Sequence, residues 1–99
     1  MAALEELTQE LTARKQLPAV PMRRALRLAA GASLERTAQA VGGVTHEAVR
    51  TWELGLREPR GRNAIAYAAV LRRFSELASD SYEDGAGQEV TPKTGAAPI

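Results

Sequence analysis

The stretch from Gly43 to Gly55 constrains the fold more than any other part of the chain, because it describes a short helix bounded by glycines. It reads Gly-Val-Thr-His-Glu-Ala-Val-Arg-Thr-Trp-Glu-Leu-Gly. At 3.6 residues per turn, three apolar side chains can share one side, namely Val44, Val49 and Trp52. The other side then carries a chemically mixed stripe of His46, Glu47, Arg50, Thr51 and Leu54. We predict a helix with one buried side and one exposed, mostly polar side.

Four further helices are predicted from apolar side chains at helical spacing and from the Gly, Pro and Ser residues that separate them. They span residues 1–17, 22–30, 34–41 and 64–78, and the stretch described above forms a helix over residues 46–54. Residues 18–21 form a short linker, and Ser33, Thr45 and Asn63 are candidate N-caps. The apolar stripes consist of Leu4, Leu7 and Leu11 in the first helix, Met22, Leu26 and Ala29 or Ala30 in the second, Leu34, Ala38 and Val41 in the third, and Tyr67, Val70, Leu71, Phe74, Leu77 and Ala78 in the last.

No stretch of the sequence has the alternation of a β-strand. Beyond Ser79 the composition turns to Gly, Ala, Pro, Asp and Glu, which favours a disordered acidic tail over residues 80–99. We therefore predict an all-α fold, a small bundle of about five helices followed by this tail. Two of its short helices, joined by a glycine-containing turn, form a helix-turn-helix.

The net charge of +1 hides a segregation of charge along the chain. Twelve Arg and Lys residues and four Glu residues lie between Arg14 and Arg73, a net charge of +8. Residues 1–13 carry −3 and residues 74–99 carry −4. Eleven of the twelve basic residues are arginine, the side chain that grips phosphate with two parallel hydrogen bonds. A basic middle rich in arginine indicates a polyanionic partner.

Several classes of protein are disfavoured by composition. The chain has no cysteine and one histidine, so thiolate and histidine-cluster metal sites are not expected. Its longest apolar run, residues 64–71, is far too short to span a membrane, and the acidic start does not resemble a secretory signal. No nucleophile–base pair or phosphate loop is evident. We expect no enzymatic activity, no catalytic residue, no metal or other cofactor and no membrane contact, and we expect the cytoplasm as the location.

A run of residues around the predicted helix-turn-helix resembles the phage-repressor/Cro type of helix-turn-helix DNA-binding domain, also called the xenobiotic-response-element family. The resemblance covers about residues 22–78 and suggests a DNA-binding domain over residues 18–79. It is closest in the run from Trp52 to Gly61. The residues that carry it are Leu26-Arg27, Ala30-Gly31, Ser33-Leu34, Ala38, Val41-Gly42, Val44-Thr45, Val49, Trp52-Glu53, Gly55 and Pro59.

The resemblance implies roles for individual residues. His46, Glu47 and Thr51 match positions that commonly touch base edges in the major groove. Arg50 matches an exposed position that can reach a base or a phosphate, and we include it among the expected base contacts. The chemistry agrees, since Glu can accept from cytosine, Arg can bind guanine and Thr can donate or contact the thymine methyl. Contacts to phosphate are expected from Arg24, Thr45, Arg57, Arg60 and Arg62. Arg27 and Glu53 match a salt bridge that ties the first family helix to the recognition helix.

Other interpretations stay open for some of these residues. Glu47 and Arg50 lie one turn apart and can form a surface ion pair instead of contacting bases. Arg50 can reach a phosphate as well as a base, and Thr45 can cap the helix as well as contact phosphate. The sequence also departs from the family pattern in three places: the turn at Gly42-Gly43-Val44 has one residue more than usual, Thr37 replaces a large aliphatic residue, and Leu34 replaces a polar one.

We therefore expect a sequence-specific double-stranded DNA-binding protein, a small bacterial or phage transcriptional repressor or regulator, associated with the nucleoid when bound. A single domain offers a small interface, so a homodimer on a two-fold site is expected, joined through the last or the N-terminal helix. The alternative is a protein-interaction module on the same fold, an antitoxin or a phage protein that binds a host factor. Its partner would bind the N-terminal helix or the tail.

Overall fold

The computed structural model describes the backbone of residues 2–88 and the side chains of residues 2–79. It contains five helices: α1 (Ala2–Gln16), α2 (Val20–Ala30), α3 (Leu34–Val41), α4 (His46–Glu53) and α5 (Arg62–Gln88). No strand occurs within residues 2–88, so the all-α prediction is confirmed. None of the described helices is both long and apolar enough to cross a membrane.

The core lies where α3 and α4 pack together against α5. It is formed by Ala38 and Val41 of α3, Val49 and Trp52 of α4, and Tyr67 and Leu71 of α5. The rings of Trp52 and Tyr67 are 4.8 Å apart at an interplanar angle of 47°. These are the residues that helical spacing predicted to be buried, because an apolar face of a short helix can be covered only by its neighbours.

The predicted inner face of α2 was wrong at Met22 and did not include the two buried arginines of this helix. Met22 is 50% exposed, whereas Arg23 and Arg27 are 5% and 7% exposed. Leu26 and Ala30 are half-buried and Ala29 is exposed. The physical reason is that α2 lies beside Glu53 of α4 and Glu58 of the following loop, so two long arginine side chains reach carboxylate and carbonyl partners there. Hydrophobic periodicity treats arginine as outward-facing and cannot anticipate this arrangement.

Two helix starts also differ from the prediction. α2 begins at Val20, with Pro21 in its first turn, so part of the predicted linker over residues 18–21 is helical. Proline is tolerated there because its missing N–H would have had no partner within the helix. α5 begins at Arg62, which places Asn63 inside the helix and not at the cap. Gly61 is the residue before the helix, and its carbonyl accepts from Ala64 N at 3.1 Å.

The last helix is longer than predicted. It runs through residues 80–88, which we assigned to the acidic tail. Adding residues to an existing helix gains one backbone hydrogen bond for each residue fixed, so a helix can continue past its last apolar contact. The rest of the predicted tail, residues 89–99, lies outside the described residues.

Candidate nucleic-acid interface

The turn between α3 and α4 sets the orientation of the candidate recognition helix, α4. Gly42 and Gly43 both have positive φ, at 96° and 71°, a region that side chains with a Cβ rarely adopt. The hydroxyl of Thr45 accepts a hydrogen bond from Ala48 N at 3.1 Å and so caps the start of α4. Ser33 caps α3 in the same way by accepting from Arg36 N at 3.0 Å. The turn at Gly42-Gly43-Val44 therefore reverses the direction of the chain in a defined conformation, between two capped helices.

The inner side of α4 is anchored by packing and by one buried ion pair. Val49 is fully buried and Trp52 is 5% exposed. Arg27 of α2 donates two hydrogen bonds to the carboxylate of Glu53, at 2.5 and 3.2 Å, and a third to the carbonyl of Ala32 at 2.9 Å. Because both charged side chains are almost fully buried, the pair fixes α4 relative to α2 more rigidly than an exposed pair would.

The outer side of α4 presents polar side chains to solvent. The side chains of His46, Glu47 and Arg50 are each more than half exposed. The Glu47 carboxylate lies 3.7 Å from the Arg50 guanidinium and 3.9 Å from His46 Nε2. The surface ion pair left open by the sequence is thus present in the free protein. Exposed pairs of this kind contribute about 0.3–0.5 kcal/mol, so these groups can exchange partners readily.

Thr51 lies at the edge of a groove that we call the loop groove. This concave surface has a volume of about 680 Å³ and lies between α4, the loop over residues 55–61 and the C-terminal end of α1. Thr51 is half-buried and donates its hydroxyl proton to the carbonyl of Ala48 at 2.7 Å. Its oxygen lone pairs and its methyl group remain for a ligand. Basic side chains from two parts of the chain line the same groove, namely Arg14, Arg57 and Arg60.

The loop that forms one wall of this groove is held from within by Arg23. Its guanidinium donates to the carbonyl of Trp52 at 3.1 Å, to Pro18 O at 2.9 Å and to the carboxylate of Glu58 at 3.3 and 3.4 Å. The carbonyl of Trp52 is at the C-terminal end of α4, where backbone acceptors have no partner within the helix. One arginine therefore ties the linker before α2, the end of α4 and the basic loop together.

Glycine at position 55 is favoured by its backbone conformation and by the limited space beside it. Its φ is +75°, and a Cβ added there would come within 3.2–3.3 Å of the Val20 methyl groups. Pro59 in the same loop is fully buried. The loop leaves α4 through Gly55 and returns through Pro59, which leaves Arg57 and Arg60 exposed on its outer surface.

The structure does not bring all predicted phosphate-contacting residues together. Arg62 lines a separate cleft between α1 and the start of α5, which also contains Glu6 and Glu10. Arg24 is exposed on α2 and does not line the loop groove. Arg57 and Arg60 share the groove with Thr51, whereas the other three predicted residues, Arg24, Thr45 and Arg62, do not line it.

Tyr67 of α5 lies in the core, next to Trp52 of α4. Burial raises the pKa of its phenol well above the usual range, and the nearby charge of Glu53 adds to the increase, while Arg23 and Arg27 oppose it. Among the described side chains, the Tyr67 hydroxyl is the buried polar atom without a hydrogen-bond partner. The phenol is therefore kept neutral in the folded protein.

The helix-turn-helix family model matches residues 24–76, which includes α2 from its second turn, all of α3 and α4, the basic loop and the first half of α5. The chain belongs to the helix-turn-helix family. The resemblance inferred from the sequence is confirmed, and this member of the family is a DNA-binding regulator. No curated protein and no solved structure matches the chain significantly.

Within this helix-turn-helix protein, sequence reasoning missed two arginines at the candidate site. Arg23 lies just outside the matched residues, and Arg14 belongs to α1, also outside the match. A signal existed for Arg23, because it is four residues before Arg27 and therefore shares its helix face. No sequence signal places Arg14 at the loop groove, since its position depends on how α1 packs against α5.

Proposed function

We propose that this protein is a small transcriptional repressor or regulator, of bacterial or phage origin, that binds specific double-stranded DNA sequences through α4. The observation that carries the proposal is the two-sidedness of α4. Its inner side is locked by Trp52, Val49 and the Arg27–Glu53 pair, whereas its outer side is polar and exposed. A rigid helix with a free polar face is suited to enter the major groove.

We assign the base contacts to four residues on the outer side of α4, namely His46, Glu47, Arg50 and Thr51. An arginine can donate two hydrogen bonds to guanine, and a glutamate can accept from the amino group of cytosine. The weak contacts that Glu47 makes with Arg50 and His46 leave each of them able to turn to a base. Thr51 offers its methyl group to thymine or its oxygen to a donor.

We assign the phosphate contacts to residues at the start of α4 and on the elements next to it. Arg57, Arg60 and Arg14 line the loop groove next to Thr51, which favours a DNA strand passing along that groove. Thr45 at the start of α4 and Arg24 on α2 complete the set, because hydroxyl and guanidinium groups fix the register of a protein on the backbone. We assign Arg62 a lesser role, since it shares its cleft with Glu6 and Glu10.

We further propose that the protein acts as a homodimer on a two-fold operator at the nucleoid in the cytoplasm. One domain of this size presents a small DNA surface, and pairing two of them on adjacent half-sites provides the missing affinity.

Selection of bound duplexes from a random library tests DNA recognition directly. We expect an enriched sequence with two-fold symmetry. Binding to it should weaken steeply with salt, because each neutralised phosphate contributes about −0.9 to the log–log slope. Arg73→Ala is the matched control, since Arg73 is exposed on α5 and forms a surface ion pair with Glu76. Failure to enrich any sequence, with a flat salt response, would favour the protein-interaction module.

A further inference from the structure

The C-terminal end of α4 carries an apolar patch next to its polar outer side. Leu54 and Leu56 are 54% and 70% exposed, and Leu56 is the most exposed large apolar residue among the described side chains. Leu54 lies three residues after Thr51 and four after Arg50, so helical spacing places it on the same outer side of α4. Neither leucine belongs to the proposed base or phosphate contacts.

The backbone conformation that ends α4 places Leu56 beside Thr51. Gly55 N donates to the carbonyl of Trp52 at 3.3 Å, and Leu56 N donates to the carbonyl of Thr51 at 3.0 Å. These two hydrogen bonds, around a glycine with a φ of +75°, form the Schellman motif that ends many helices. The residue after the glycine then frequently packs on the last turn of the helix. Thr51 and Leu56 accordingly line the same loop groove.

Thr51 adds a methyl group to this patch. Its hydroxyl donates to the carbonyl of Ala48 at 2.7 Å, and this hydrogen bond fixes the rotation of the side chain. The methyl group occupies a different staggered position on the Cβ atom and so makes no contact of that kind. We define the methyl patch as Thr51, Leu54 and Leu56. Exposed arginines stand directly before and after it in the sequence, namely Arg50 and Arg57.

We propose that the methyl patch binds the 5-methyl group of a pyrimidine in the major groove, so that binding depends on thymine or 5-methylcytosine at one position. This inference rests on the proposed recognition of DNA by α4 and adds which chemical group the two leucines read. The 5-methyl group is the apolar feature that a base pair presents in this groove, so an apolar patch on the groove-facing side has one complement in DNA. The flanking arginines favour a polyanion, because an apolar protein surface would remove their hydration without providing a partner.

Removal of this methyl group from the DNA has a defined expected effect. Deoxyuridine differs from thymidine by the 5-methyl group alone and keeps the same hydrogen-bonding groups. Placing it opposite the methyl patch should raise the dissociation constant of the wild-type protein about fourfold, the effect of burying one methyl group. Changing cytosine to 5-methylcytosine at the same position should lower the dissociation constant by a similar factor, because the same group is added.

The test uses the full chain and the duplex enriched from a random library, with deoxyuridine placed at one thymine at a time. Fluorescence anisotropy gives the ratio of the dissociation constants for the substituted and the parent duplex. In Leu54→Ala and Leu56→Ala this ratio should approach unity at the position where wild type is sensitive. Leu77→Ala, at an exposed leucine of α5, is the matched control and should keep the wild-type ratio. Circular dichroism should be unchanged in all three variants, because each leucine is exposed.

The possible results separate this inference from the proposed function. Failure to enrich any duplex overturns DNA recognition itself, and the methyl patch with it. An enriched duplex that binds wild type equally well with deoxyuridine at every position overturns the methyl patch alone. So does an unchanged ratio in both Leu54→Ala and Leu56→Ala. If these two variants weaken binding to the parent and substituted duplexes equally, the leucines pack on the sugar–phosphate backbone, and if they weaken neither, the patch serves a protein partner.

Discussion

Arginines occupy two contrasting environments in this protein. Arg23 and Arg27 are buried in α2 and donate several hydrogen bonds each to carboxylates and backbone carbonyls. Arg50, Arg57 and Arg60 are exposed, and of these Arg50 touches Glu47 only weakly. The buried pair carries the positioning of α4 and of the basic loop. The exposed group keeps its donors free for a polyanion.

The difference teaches that net positive charge is a poor guide to a binding surface. An arginine stabilises the fold where a carboxylate is buried beside it. An arginine exposed to solvent can instead contact a ligand. Mutations of the two groups should therefore separate into changes of stability and changes of binding.

The largest expected effect is from Arg27→Ala. It leaves the Glu53 carboxylate buried without its partner, so the free energy of unfolding should fall by about 3–5 kcal/mol. Urea unfolding followed by circular dichroism measures it. Replacing both members, with Arg27→Met and Glu53→Leu, should recover most of the stability, because no unpaired charge remains. Equal stability of Arg27→Ala and wild type would contradict a scaffold role.

Arg23→Ala should be the next most severe change. It removes donors from the carbonyls of Trp52 and Pro18 and from Glu58, and should cost about 1.5–3 kcal/mol of unfolding free energy. The matched control is Arg24→Ala on the same helix, which is exposed and should stay within about 0.5 kcal/mol of wild type. If the two neighbouring substitutions had the same cost, the contrast between buried and exposed arginines would not hold.

Arg50→Ala should weaken DNA binding and leave the stability of the fold nearly unchanged. Its unfolding free energy should remain within about 0.5 kcal/mol of wild type, because the side chain is exposed. Binding to the selected duplex should weaken by about 1–3 kcal/mol, with reduced preference at one base pair, if it binds guanine. Fluorescence anisotropy against the selected duplex and single-base variants measures this. Weakening of equal size on every sequence would assign Arg50 to phosphate instead.

Arg60→Ala should change the salt dependence more than the sequence preference. Loss of one phosphate contact should reduce the log–log salt slope by about 1, with nearly uniform weakening across sequences. Titrations at several salt concentrations provide the slope. An unaltered slope would remove Arg60 from the proposed path of the DNA backbone.

Tyr67→Phe should have the smallest effect at neutral pH, about 0.5 kcal/mol or less, because it deletes a hydroxyl without a protein partner. At alkaline pH it should matter more. The pKa of Tyr67 is raised in the folded state, so wild-type stability should fall as pH rises above about 10, the value for an exposed tyrosine. Tyr67→Phe should flatten that decline in unfolding experiments across this range. Parallel pH profiles would show that the phenol ionises without unfolding.

Helical spacing and capping residues were sufficient for α3 and α4. Val49, Trp52, Ala38 and Val41 are apolar residues on one side of short helices, and all four lie in the buried core. The same reasoning did not work for α2, whose buried side chains are arginines paired with residues distant in sequence. It also missed the exposure of the leucines in α1, since Ala13 is the buried residue of that helix. Periodicity identifies an apolar stripe but not what covers it.

The sequence by itself determined the helical class, the helix-turn-helix family and the polar face of α4, since these depend on local spacing, caps and glycines. Tertiary structure alone decided that Arg23 and Arg27 are internal, that Arg14 joins Arg57 and Arg60 at the loop groove, and that Leu4, Leu7 and Leu11 remain exposed. The physical reason is that a charged or apolar side chain acquires its role from the partners that packing brings within a few ångströms, and those partners lie elsewhere in the chain.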